Sequence, residues 1–101
     1  MPQMLSPIPP GEILFEDFLK PLGISQNELA RALAINPGRV NDIIRGRRGI
    51  SADTALRLAT YLGTSAEFWL NLQTRYDLKI ATRTVGAQIR KNVKRLPSRA
   101  A

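Results

Sequence analysis

Between Pro37 and Arg48 the chain concentrates side chains suited to reading a nucleic acid: Asn41 and Asp42, with Arg39 and Arg45 around them and Arg47 and Arg48 directly after Gly46. An asparagine amide can pair bidentately with adenine in the major groove, and an arginine guanidinium with guanine. Arginines next to such a face suit phosphate oxygens, which fix register without carrying sequence information. Val40, Ile43 and Ile44 fall at i, i+3 and i+4, one apolar stripe that must face a domain interior. The outward face is then Gly38, Asn41, Asp42 and Arg45, with Arg39 on its flank. Pro37 and Gly38 keep the start of the helix slim, so its N-terminal end can press close to a duplex. A carboxylate near phosphates needs a cytosine amine or an arginine, and Arg45, three residues on, is the expected partner of Asp42.

Other chemistries are poorly served. The 101 residues include no cysteine and no histidine, which removes disulfides, thiolate nucleophiles, the usual zinc sites and imidazole acid-base catalysis. Glu12 and Glu16 are spaced at i and i+4 with Asp17 beside them, but nothing else in the chain completes a metal or acid-base site with them. No enzyme, no metal and no cofactor is therefore expected. The net charge of +7 points to an anionic partner, yet the excess sits at one end: Lys79, Arg83, Arg90, Lys91, Lys94, Arg95 and Arg99 follow the last acid, Asp77, whereas the preceding residues balance.

The reading face needs elements to hold it. Ser25, with Glu28 three residues later, forms a capping box that opens a helix bearing Leu29, Ala30, Ala32 and Leu33. Asn36 as cap and Pro37 at the first helical position open the next, so Ala34, Ile35 and Asn36 alone make the turn. Many turns of this kind place glycine where Ala34 stands, and alanine there is expected to be tolerated with φ staying negative. Gly46 stops the second helix. Before this hairpin, Gly11 to Lys20 reads as a helix with Glu12, Glu16 and Asp17 exposed, ended by Pro21 and Gly23. After it, a fourth helix runs from the Ser51 cap to Gly63. A fifth, opened by Thr64 and Glu67, runs roughly to Ile80 with Phe68, Trp69, Leu70, Leu72 and Tyr76. No strand is expected. Residues 1–9 read as a mobile proline-rich arm, 10–80 as the helical domain, and 81–101 as a basic tail that is a disordered arm, a helix folding onto a partner, or a solubilising extension. A chain of this size buries roughly 60 to 70% of its unfolded surface as a single domain.

The layout is that of an all-α, five-helix, lambda-repressor-like helix-turn-helix domain. Three segments resemble the HigA (VapI-like) antitoxin family within the Xre-type repressors: Pro10 to Leu14 with Phe18 to Ser25, Gly46 to Ala59, and Glu67 to Gln73 with Tyr76 to Leu78. The resemblance covers roughly residues 9 to 80 and is far more specific than a generic helix-turn-helix match. It implies a DNA-binding antitoxin that pairs with a HigB toxin, a RelE-like mRNA-cleaving ribonuclease, and represses its own operon as a homodimer. The family's recognition positions fall on Pro37, Gly38, Arg39, Asn41, Asp42 and Arg45. Gln26 matches the first-helix glutamine that touches phosphate or the adjoining base, and Arg47 and Arg48 complete the expected DNA-binding set.

Trp69, Leu72, Tyr76 and Ile80 each suit a core, but a domain of under eighty residues has limited interior, so part of this surface is expected to meet a second copy. A two-fold dimer would set its recognition helices about 34 Å apart on an inverted repeat of double-stranded DNA. Glu12, Glu16 and Asp17 offer an acidic face to a basic toxin, since complementary charge speeds association. The alternative is a stand-alone Xre-type repressor with no toxin, whose DNA-binding half would look the same. Met1 to Pro10 has no basic n-region, and nowhere do about eighteen apolar residues run together, so a cytoplasmic protein with no membrane role is expected.

Overall fold

A computed structural model describes residues 6–97 as an all-helical chain. The first helix, α1, is one continuous rod in three registers: α-helical Pro10–Ile13, a π-helical stretch Leu14–Leu19, and α-helical Lys20–Leu22. Its expected stop, Pro21, lies inside the last turn instead. A proline there has no N–H to donate and its ring crowds the carbonyl four residues back. The wider π register relieves that crowding, and Lys20 N–H bonds to the Phe15 carbonyl five residues back. Then come α2 (Gln26–Leu33), α3 (Pro37–Ile44), α4 (Ala52–Leu62) and α5 (Ala66–Asn92).

The local signals of the sequence act where expected. Ser25, Asn36 and Ser51 accept backbone N–H bonds from Glu28, Gly38 and Thr54 at 3.0, 2.6 and 3.3 Å. The start of α5 is a correction. Ser65, not Thr64, is its cap, accepting from Phe68 N–H at 3.0 Å, while the Thr64 hydroxyl accepts the Trp69 indole N–H at 2.7 Å.

Three helices end in the same way. At α1, α2 and α3 paired bonds run back from two successive residues beyond the helix: Gly23 to Lys20 and Ile24 to Leu19, Ala34 to Arg31 and Ile35 to Ala30, and, after the cap Arg45, Gly46 to Ile43 and Arg47 to Asp42. This Schellman arrangement puts its penultimate residue in the left-handed region. Gly23 and Gly46 take φ of 68° and 77°, and Ala34 takes 58°. The negative φ expected of Ala34 is therefore wrong, because the motif dictates the conformation and the alanine complies at a cost of roughly 1–2 kcal/mol. Ala34→Gly should release that strain against a smaller loss of chain entropy, stabilising the protein by about 0.5–1 kcal/mol. Thermal unfolding checks this, with a rise of about 2–8 °C expected.

The core is assembled from all five helices: Leu14 and Leu19, Leu29 and Leu33, Val40 and Ile43, Leu58, and Trp69, with Ile50 from the loop before α4. Trp69 is fully buried, with its ring centroid 5.1 Å from Phe18 and 4.9 Å from Phe68. Pro9 is extended, and Ser6, Pro7 and Ile8 lie beside Leu72, Arg75, Tyr76 and Lys79 of α5. The helix runs on past Ile80 to Asn92, about 40 Å in all at 1.5 Å per residue. Its second half is exposed. There Leu78, Val85 and Ile89 recur on the side opposite that of Trp69.

Candidate nucleic-acid interface

The α2–α3 hairpin holds α3 by its apolar stripe, with Val40 and Ile43 buried and Ile44 half-buried. At the far end, α1 crosses α3 at Gly11, where a Cβ would lie 1.7 Å from the Ile43 carbonyl oxygen. Only glycine lets the two backbones approach this closely. The chain after α3 is tied to α5: Ile50 N–H donates to Gln73 Oε1 at 2.7 Å, and Gln73 Nε2 donates to Asp77 Oδ1 at 2.9 Å. Gly11 and Gln73 are thus positioning residues that sequence reasoning missed. The signal for both lay only in their place within the family-like segments.

On the outward face, Gln26, Asn41, Asp42 and Arg47 form one network. Asn41 Nδ2 donates to Gln26 Oε1 at 3.0 Å, and Arg47 Nη2 donates to Asn41 Oδ1 at 3.0 Å. Arg47 also reaches Asp42 Oδ1 through Nε and Nη2, both at 3.2 Å. The expected Asp42–Arg45 pair is therefore replaced by Asp42–Arg47. The tight turn at Gly46 folds Arg47 back over the helix, whereas Arg45 points to solvent.

This network sets what Asn41 can do. A side-chain amide has two N–H donors and two lone pairs on its oxygen. Gln26 takes one donor and Arg47 one lone pair, leaving one donor and one acceptor, the pair an adenine edge requires. Arg47 also offsets the Asp42 charge that would repel phosphate. Pro37, Gly38, Arg45 and Arg48 are exposed around this centre.

Arg39 is drawn the other way. Its Nη2 donates to Thr54 Oγ1 at 2.6 Å and lies 3.5 Å from Asp53 Oδ1, and its Nε is shielded with no partner. These contacts occupy Nη2 and shield Nε, so the guanidinium is turned toward α4. The expected base contact by Arg39 therefore competes with Thr54, fifteen residues along the chain, which holds the guanidinium in the free protein. Asp53 sits beside Arg57, whose hydrogen bond and charge hold its carboxyl below the usual carboxylate range, with Arg39 adding to the effect.

The remaining expected sites divide. Trp69 is enclosed by its own chain, which removes it from any dimer surface, whereas Leu72 and Tyr76 are half-buried and Ile80 is exposed. Glu12, Glu16 and Asp17 lie on the solvent side of α1, with Glu16 3.5 Å from Lys20. No helix among the described residues is long and apolar enough to cross a membrane.

A helix-turn-helix family model matches residues 16–69. Virulence-associated protein I of Dichelobacter nodosus is 60% identical over 74 residues, 73% of this chain and 68% of that protein. Two solved structures superpose closely. Pseudomonas aeruginosa antitoxin HigA with the higBA promoter has 51% identity and a TM-score of 0.86, covering 89% of this chain and 98% of that one. Antitoxin GraA in complex with its operator has 49% identity and a TM-score of 0.87, covering 97% and 99%. The chain belongs to the HigA (VapI-like) family of Xre-type helix-turn-helix proteins, DNA-binding antitoxins and not enzymes.

Proposed function

We propose that this protein is a sequence-specific DNA-binding antitoxin that neutralises a HigB-type, RelE-like mRNA-cleaving toxin in the cytoplasm and autorepresses its operon as a homodimer on an inverted repeat. The observation that carries the DNA-reading half is the Asn41 amide, held by Gln26 and Arg47 with one donor and one acceptor left over at the outward face of α3. The relatives solved with a promoter and with an operator support the same reading. Asn41 is the adenine reader. Gln26, Pro37, Gly38, Asp42 and Arg45 complete the close face, and Arg47 and Arg48 contact phosphate.

Leu72, Tyr76 and Ile80 on α5 supply the apolar surface for a second copy. Exposed Leu78, Val85 and Ile89 form a separate apolar stripe on the opposite side of the helix. The acidic side of α1, at Glu12, Glu16 and Asp17, faces the toxin.

Co-expression with the product of the adjacent reading frame tests the antitoxin role. Stable co-purification, weakened by charge reversal at Glu12 and Glu16, is the expected result. A chain that captures no partner but still represses its own promoter would be a stand-alone repressor. Sedimentation at micromolar concentration is expected to show a dimer for the free protein.

A further inference from the structure

The first turns of α4 touch both helices of the reading hairpin. Arg57 Nη1 donates to the Leu33 carbonyl at 2.8 Å and to the Ala34 carbonyl at 3.4 Å, closing the C-terminal end of α2. Arg57 Nε donates to Asp53 Oδ1 at 2.7 Å, and the same oxygen lies 3.5 Å from Arg39 on α3. Thr54, with 1% of its surface exposed, accepts from Arg39 through Oγ1 and takes a second hydrogen bond from the Ser51 hydroxyl at 3.3 Å. A continuous line of contacts therefore runs from the end of α2, through Arg57, Asp53 and Thr54, to the start of α3. It spans the turn whose Ala34 sits in a left-handed conformation.

We propose that Asp53, Thr54 and Arg57 are positioning residues for operator recognition, and that Arg39 is the α3 end of this brace and not a reader of bases. The argument is geometric. The Arg57 and Asp53 side chains are 39% and 57% exposed, and ion pairs so wetted add little to stability. What they fix is the angle between α2 and α3, and with it the distance between Gln26 and Asn41, which lie on opposite sides of the turn. Recognition needs such side chains held to within about 0.5 Å, so a loosened hairpin keeps its phosphate contacts and loses its base contacts. The brace rests on the reading of α3 as the operator-reading helix.

The test compares wild type, Arg39→Met, Arg57→Met and the double variant on two duplexes of equal length, the inverted repeat upstream of the protein's own gene and a scrambled sequence. Far-ultraviolet circular dichroism at the assay temperature confirms that each is folded. Each single variant should lower the operator-to-scrambled affinity ratio by about tenfold or more, across several base positions, with the salt dependence unchanged. The double variant should lose little beyond the worse single one, because both remove the same brace. Thr54→Val should behave like Arg39→Met, and Thr54→Ser, which keeps the hydroxyl, should restore the ratio. Losses that multiply in the double variant, an unchanged ratio in Arg57→Met, or relaxation by Arg39→Met at one base pair only would overturn the brace. A wild type that shows no operator preference would instead overturn the reading of α3 itself.

Discussion

Gly11→Ala should cost the protein its operator binding although Gly11 lies outside the helix-turn-helix hairpin. The added methyl would sit 1.7 Å from the Ile43 carbonyl oxygen and 2.9 Å from the Ile44 Cα, both backbone atoms of α3. No side-chain rotation can relieve that clash, so α1 and α3 must separate. Overpacking of a tight interface costs typically about 1–3 kcal/mol. The helix propensity gained from alanine, about 1 kcal/mol, offsets only part of it. The larger effect is on recognition. Moving α3 relative to α2 takes Asn41 away from Gln26, and losing base contacts worth about 1–3 kcal/mol each lowers operator affinity roughly 100-fold. Binding isotherms with operator and scrambled duplex, taken well below the unfolding midpoint, measure it. Gly86→Ala is the control, since its Cβ would meet only side-chain atoms of Arg90 and Thr82 at 3.3 and 3.4 Å. That variant should be as stable as wild type or slightly more so, with operator affinity unchanged.

Trp69→Ala should produce the largest loss of stability. The indole is fully buried against Phe18 and Phe68, and its N–H is satisfied by Thr64. Truncating a buried aromatic to alanine removes about 3–5 kcal/mol, out of a total of roughly 5–15 for a domain. The unfolding midpoint should fall by more than about 12 °C, and by the same amount at every protein concentration. A surface tryptophan at a dimer contact would behave differently, leaving a folded monomer whose midpoint approaches that of wild type on dilution. Thermal melts over a hundredfold range of concentration separate the two. The contrast matters for function because Trp69 links α5 to the body, and α5 carries Gln73, which ties down the loop after α3.

The parts of this fold that were legible in the sequence are those governed by neighbours along the chain. Ser25, Asn36 and Ser51 cap their helices because a side-chain oxygen reaches an amide two or three residues away, and Gly46 and Gly63 terminate helices by their own backbone freedom. The stripe of Val40, Ile43 and Ile44 follows from helical periodicity. What was not legible depends on groups distant in sequence or on a choice between near equals. Arg39 turns inward because of Thr54. Ala34 accepts a left-handed conformation because the end of α2 demands it and Arg57 closes the freed carbonyls. Thr64 and Ser65 are both chemically fit to cap α5, and the indole of Trp69 decides which one does. Pro21 reads as a stop only if a helix must keep its α register. Within the site, the identity of the face was visible, but the Gln26–Asn41–Arg47 network that orients it was not, since it joins three separate segments.

The most direct measurement is fluorescence anisotropy of wild type and Asn41→Ala on the upstream inverted repeat and on a scrambled duplex, each across a series of salt concentrations. If α3 reads the operator through Asn41, wild type should prefer the repeat strongly. Asn41→Ala should then lose about 1–3 kcal/mol on the repeat and little on the scrambled sequence, with the salt slope retained because phosphate contacts remain. Equal affinity of wild type for the two duplexes, or an Asn41→Ala variant with undiminished preference for the repeat, would contradict the assignment.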